Sequence, residues 1–124
     1  MRSAISRAIA DHYAWGDGCD GWHLVRSSGL SVIEERMPAG AAETRHMHQH
    51  ARQFFYVLEG CLTIEHDGSL ATLQTGEGLE VSPGVVHEVR NRSGEAVRFL
   101  VVSQPPSHGD RQTVVQDHDR DDRT

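Results

Sequence analysis

Lysine is absent from this chain of 124 residues; all 12 basic side chains are arginine. A lysine Schiff base and a phosphate-cradling P-loop lysine are thereby excluded. GxSxG does not occur, so the sequence offers no nucleophile elbow. Cysteine is scarce: Cys19 and Cys61 stand far apart, form no CxxC pair and read as two reduced thiols, although spacing alone leaves a disulfide open. Positive charge is in deficit, with a formal net charge of -6, which argues against a general affinity for nucleic-acid phosphates. No run approaches the roughly 18 apolar residues of a membrane span. The opening MRSAISRAIADHY has no continuous apolar stretch of the kind a signal peptide needs. The expectation is a cytoplasmic protein with no nucleic-acid or membrane partner.

What the sequence does contain is a series of short β segments. The length suits one domain. From Trp22 onward, stretches such as LSVIEERM, QFFYVLEG, CLTIEH and VRFLVVSQ are separated by turn signals, among them Pro38-Ala39-Gly40, Glu59-Gly60, Asp67-Gly68 and Pro83-Gly84. Asp67-Gly68 between two such stretches predicts a tight hairpin, because a type I′ turn needs positive φ at both central residues. Many short strands at this spacing predict an all-β sandwich or barrel. Residues 3–13 place Ile5, Ala8, Ile9 and His12 at helical spacing and predict a short helix. The expected organisation is a helix and loop over 1–21, a barrel over 22–108 and a polar tail over 109–124. In that tail His118 reads as solvated.

Histidine is abundant, with nine in the chain, and the most informative stretch is ETRHMHQH. On a strand, alternate side chains share a face, so His46, His48 and His50 point the same way. Two imidazoles at i and i+2 can reach one ion at about 2.0–2.2 Å. A third ligand must come from elsewhere, and His87 in GVVHEVRN is the best candidate. A metal-free set of buried, hydrogen-bonded histidines is the alternative reading.

Spacing then carries a resemblance. Five residues separate Gly40 from His46, one separates His46 from His48, four separate His48 from Gln53 and six separate Gln53 from Gly60. Further on, Gly76, Ser82, Gly84, His87 and Asn91 are separated by five, one, two and three residues. Gly40 to Asn91 thus resembles the two signature motifs of the cupin superfamily throughout. The resemblance implies a single-domain cupin: a double-stranded β-helix, or jelly-roll barrel, holding one divalent metal ion (Fe, Mn, Ni, Zn or Cu) on His46, His48 and His87. Two positions depart from the motifs. Ser82 stands where proline is usual, with Pro83 immediately after it. Gln53 stands where glutamate is usual, and is expected either to ligate the metal through a neutral amide oxygen or to hydrogen-bond beside it. Three imidazoles and an amide would leave the cation its full charge, which favours anionic substrates, enolates or hydroxide.

Alternation extends the reading to the walls. With Gln53 facing in, Phe55 and Val57 also face in, and Val85 and Val89 share the face of His87. Phe55, Val85 and Val89 are expected to line the pocket, and Val57 to be core. Phe54 and Tyr56 point outward, an arrangement that suggests a homodimer, as in many cupins. The function implied is a metal-dependent enzyme acting on a small organic molecule, with dioxygenase chemistry preferred by analogy. A metal-dependent isomerase or lyase and a non-catalytic ligand-binding module are the alternatives. Glu35, Glu43 and His50 are the candidate acid–base residues.

Overall fold

The computed structural model describes residues 3–114. Eleven strands follow in order: β1 (Asp11–Trp15), β2 (Cys19–Arg26), β3 (Ser31–Met37), β4 (His46–His48), β5 (Arg52–Glu59), β6 (Cys61–His66), β7 (Ser69–Gln74), β8 (Gly78–Val81), β9 (His87–Arg90), β10 (Val97–Gln104) and β11 (Arg111–Thr113). They form a six-stranded sheet in the order β1-β2-β3-β10-β5-β8 and a five-stranded sheet in the order β11-β4-β9-β6-β7. Every pairing is antiparallel. Neighbours far apart in sequence, such as β4 beside β9 and β3 beside β10, give the expected jelly-roll arrangement.

Period-two patterning decides which side chains meet. On β5 the pattern is strict: Gln53, Phe55 and Val57 are buried, while Phe54 and Tyr56 are 40% and 37% exposed. On β10, Val97, Phe99, Val101 and Ser103 face the same interior. Facing them from the five-stranded sheet are Leu62, Ile64, Leu73 and Val89, which pack with Val57, Val97 and Phe99 into a continuous apolar core away from the cavity. Burial of this kind is the main stabilising term of the fold. That cavity is framed by β1, β3, β4 and the chain before β11. The β6–β7 hairpin turns at Asp67-Gly68 with positive φ at both residues, as predicted, and pairs His66 directly with Ser69.

Two expectations are corrected. The described residues contain no helix: a single turn around Arg7 to Ile9 is followed at once by β1. Ile5 and Ile9 are exposed, so their helical spacing buries no apolar stripe, whereas Tyr13 and Trp15 alternate inward as strand residues. The sheets also outrun the expected barrel limits of 22 and 108. β1 and the start of β2 precede residue 22, and β11 pairs with β4 within the segment read as a tail. His118 lies outside the described residues.

Asn91, which ends the second motif, ties the end of β3 to the turn after β9. Its amide nitrogen donates to the carbonyls of Met37 and Glu95 at 3.0 and 2.7 Å, and its oxygen accepts from the backbone and hydroxyl of Ser93. With Asn91 only 1% exposed, no water can replace these bonds. Asn91→Leu is expected to lower unfolding free energy by about 2–4 kcal/mol, read as a shift of the urea midpoint at unchanged slope.

Candidate metal centre

Strand register assembles the centre. β4 points His46 and His48 inward, and His87, the first residue of β9, lies directly across from His46. Ring centroids are 4.4 Å apart for His46 and His87, 4.8 Å for His46 and His48, and 5.8 Å for His48 and His87. One ring nitrogen from each residue lies within 4.8 Å of the others. The three side chains are buried, at 2%, 5% and 1% exposure.

Backbone carbonyls orient all three rings. His46 Nδ1 donates to Thr44 O at 2.6 Å, His87 Nδ1 to Val85 O at 3.0 Å and His48 Nδ1 to Asp110 O at 3.3 Å. A carbonyl can only accept, so each Nδ1 carries the proton and each Nε2 keeps a free lone pair. Burial holds the rings neutral: it pushes His46 down to about 3 and lowers His48 and His87 as well, against the raising effect of the carbonyl bonds. Neutral imidazole is the form that binds a metal. The Nε2 atom of His87 is buried with no hydrogen-bond partner among the described residues, the state expected of a ligand atom.

Gln53 enters from β5 in the opposite sheet. Its amide nitrogen donates to Ser103 Oγ at 3.0 Å, and its oxygen is buried without a partner. Ser103 thereby turns the oxygen end of the amide free. Three imidazole nitrogens with an available amide oxygen nearby fit a divalent transition-metal ion, and the histidine group could hold one.

A cavity of about 280 Å³ opens onto His46, His48 and Gln53, with Phe55, Glu35 and Glu43 in its wall. Burial pushes the Glu35 carboxyl up to about 8, helped by the charge of Glu43 and opposed by the hydroxyl of Tyr13, which donates to Glu35 Oε2 at 2.8 Å. Burial also raises Glu43, but Arg111 counters it by donating to Glu43 Oε2 at 3.3 Å. The other oxygen of Glu43 lies 3.9 Å from His46 Nε2. The two carboxyls are thus held differently, Glu35 by a phenol hydroxyl and Glu43 by a guanidinium.

The structure thus brings together His46, His48, Gln53, His87, Glu35, Glu43 and Phe55. It does not bring in His50, which is exposed in the loop after β4; its backbone, rather than its ring, is engaged, donating to Asp110 at 2.8 Å. Val85 and Val89 are also displaced from the expected lining. Both belong with the packed core behind His87 and take no part in the cavity wall. Sequence reasoning missed Tyr13 and Trp15, whose alternation in DHYAW was the available signal, and Asp110 and Arg111, which had none.

Asp110 has an unusual concentration of bonds. Its carboxylate accepts the backbone N–H groups of Gln49, His50 and Ala51 at 3.0, 2.8 and 2.9 Å, while its carbonyl orients His48. Desolvation works against its charge, but the three N–H donors outweigh it and hold the carboxyl below its ordinary value. Asp110→Ala is expected to weaken metal affinity about 10- to 100-fold in chelator competition, with far-ultraviolet circular dichroism unchanged.

Glu35 makes a second prediction. A buried carboxyl that keeps its proton up to about pH 8 is ionised above about 4.5 once the chain unfolds. Stability of the metal-free protein is therefore full below about pH 4.5 as far as this group is concerned, and declines as pH rises toward 8. Glu35→Gln should flatten that decline in denaturant titrations between pH 5 and 8.5; a wild-type slope retained in the variant would exclude Glu35 as its source.

Comparison with known proteins agrees with this geometry. The family model described as "Cupin domain" matches residues 33–103. The chain is 30% identical over 77 residues to the polyketide synthase CurC of Streptomyces cyaneus, covering 62% of this chain and 47% of that protein. It is 29% identical over 79 residues to the tetracenomycin polyketide synthase protein TcmJ of Streptomyces glaucescens, covering 64% and 52% respectively. The chain thus spans about half the length of these curated relatives. Among solved structures, the polyketide cyclase RemF from Streptomyces resistomycificus superposes with a TM-score of 0.81 at 19% identity, over 96% of this chain and 89% of that one. With the matched region running from β3 to β10 and containing every histidine of the centre, the chain belongs to the cupin domain family.

Proposed function

We propose that this protein is a metal-dependent enzyme that forms a carbon–carbon bond within a small polycarbonyl compound, a cyclase-type reaction of the isomerase or lyase kind. The observation that carries the reading is the pair of differently held carboxyls, Glu35 and Glu43, facing the same cavity as His46 and His48. The names of the relatives, two polyketide synthase proteins and a polyketide cyclase, support the substrate class.

His46, His48, His87 and Gln53 would hold the cation. When bound, it supplies Lewis-acid polarisation of a substrate carbonyl. Glu43, hydrogen-bonded by Arg111, takes a proton from the carbon between two carbonyls. That carbon attacks a second carbonyl of the same molecule, one carbon–carbon bond forms, and the electron pair of the attacked C=O moves to its oxygen. Glu35, holding its proton, delivers it to that oxygen. Phe55, Trp15 and Val101 give the cavity an apolar wall that limits water. The stacked, exposed Phe54 and Tyr56, with centroids 6.3 Å apart, support the homodimer expected from the sequence. The free thiols of Cys19 and Cys61 are in keeping with a cytoplasmic setting.

The test is to load the protein with Zn, Mn, Ni, Cu or Fe(II), measure stoichiometry, and follow product formation from linear polyketones by mass spectrometry. One ion per chain and a cyclised product of unchanged oxidation state are expected. His87→Ala should lose both ion and product, and Glu35→Gln should keep the ion while lowering turnover about 100- to 10,000-fold. Oxygen uptake coupled to product would replace this reading by the dioxygenase one. Tight ligand binding without product, insensitive to His87→Ala, would leave a binding module.

A further inference from the structure

A second, larger cavity of about 670 Å³ adjoins the metal cavity, and the two share Tyr13, Ile33, Ser107 and His108 in their walls. Tyr13 is the partition. Its ring sits over Gly21, where a Cβ would come within 2.2 Å of it, and its hydroxyl reaches into the metal cavity to Glu35. The other side of the ring packs on His23, centroids 5.1 Å apart, which belongs to the outer chamber alone.

The outer chamber has its own polar equipment. His23, Arg26, Ser27 and Ser31 line it, and none of them touches the metal cavity. The Nδ1 atom of His23 is buried with no hydrogen-bond partner among the described residues, so the polar contact this ring can offer the chamber is through its other nitrogen. The guanidinium of Arg26 meets Asp11 only at 3.9 Å, with both side chains mostly in water, so the pair is weak and the cation remains available. Among the described residues, no carboxylate side chain lines this chamber.

We propose that the outer chamber is a second binding subsite. It takes an oxyanion, a carboxylate or phenolate, at the far end of an elongated flat ligand whose other, oxygen-bearing end reaches the histidine cluster. Arg26 supplies the charge, His23 and the serine hydroxyls supply directed polar contacts, and Tyr13, Ile33 and Pro106 supply apolar faces for rings. The class of substrate follows: long enough to pass Tyr13, apolar along its middle and acidic at one end. This deepens the proposed function and rests on it only for the inner end of the ligand.

The test uses metal-free protein and two fluorescent probes of one shape, anthracene-2-carboxylate and anthracene-2-carboxamide. Wild type should bind the carboxylate about fivefold or more tighter than the amide. Arg26→Gln should erase that preference, and His46→Ala should leave it intact. His23→Phe, which keeps the ring but removes the nitrogen, should weaken carboxylate binding more than amide binding. Failure of both probes to bind, equal binding in wild type, or a preference that survives Arg26→Gln overturns the subsite. So does a preference lost in His46→Ala and kept in Arg26→Gln, which would place the anion on the imidazoles. Because no metal is present, a failure of metal loading or turnover leaves these titrations readable, and the two proposals fail separately.

Discussion

Three Nδ1–H bonds to backbone carbonyls hold the centre in a single protonation pattern, and most of what the protein can do depends on them. Thr44, Val85 and Asp110 provide the acceptors from three different connections of the fold. Loss of any one would let the ring rotate or exchange its proton to the other nitrogen, and the inward lone pair would disappear. Strand pairing brings the rings near one another; the carbonyls decide what the rings offer.

Placing polar rings inside a small barrel carries a penalty, and the architecture confines it. Phe99, Val57, Ile64 and Leu62 pack apart from the cavity, whereas His46, His48, Gln53, Glu35 and Glu43 are gathered on its wall. Burial there keeps the histidines neutral and keeps a proton on Glu35, so one physical effect sets both the donor character of the rings and the acid character of the carboxyl. Arg111 acts locally in the other direction: it lies beside Glu43 and opposes the effect of burial there.

Much of this was legible in the sequence because β structure projects onto the chain with period two. The inward set on β5, the common face of His46 and His48 and the approach of His87 to them all follow from alternation and spacing. Two things were not legible. A short amphipathic stretch reads as a helix when nothing shows that its apolar residues have no surface to cover, and the strand signal of Tyr13 and Trp15 was masked by that period. Long-range partners such as Asp110 and Arg111 left no trace, because a charge-rich stretch looks the same whether it is solvated or folded back upon a distant loop. Val89 was placed on the correct face of β9 and Val85 lies in the turn before it, but facing inward does not say at which end of a barrel a residue lies.

The bond from His48 to the carbonyl of Asp110 spans 62 positions of the chain. During vectorial synthesis, the strands bearing all three imidazoles leave the ribosome well before Asp110 does. Until Asp110 is in place, the His48 ring lacks the carbonyl that fixes its proton on Nδ1. Tight capture is deferred until the final strand docks against β4, which makes maturation of the centre a late event tied to completion of the barrel.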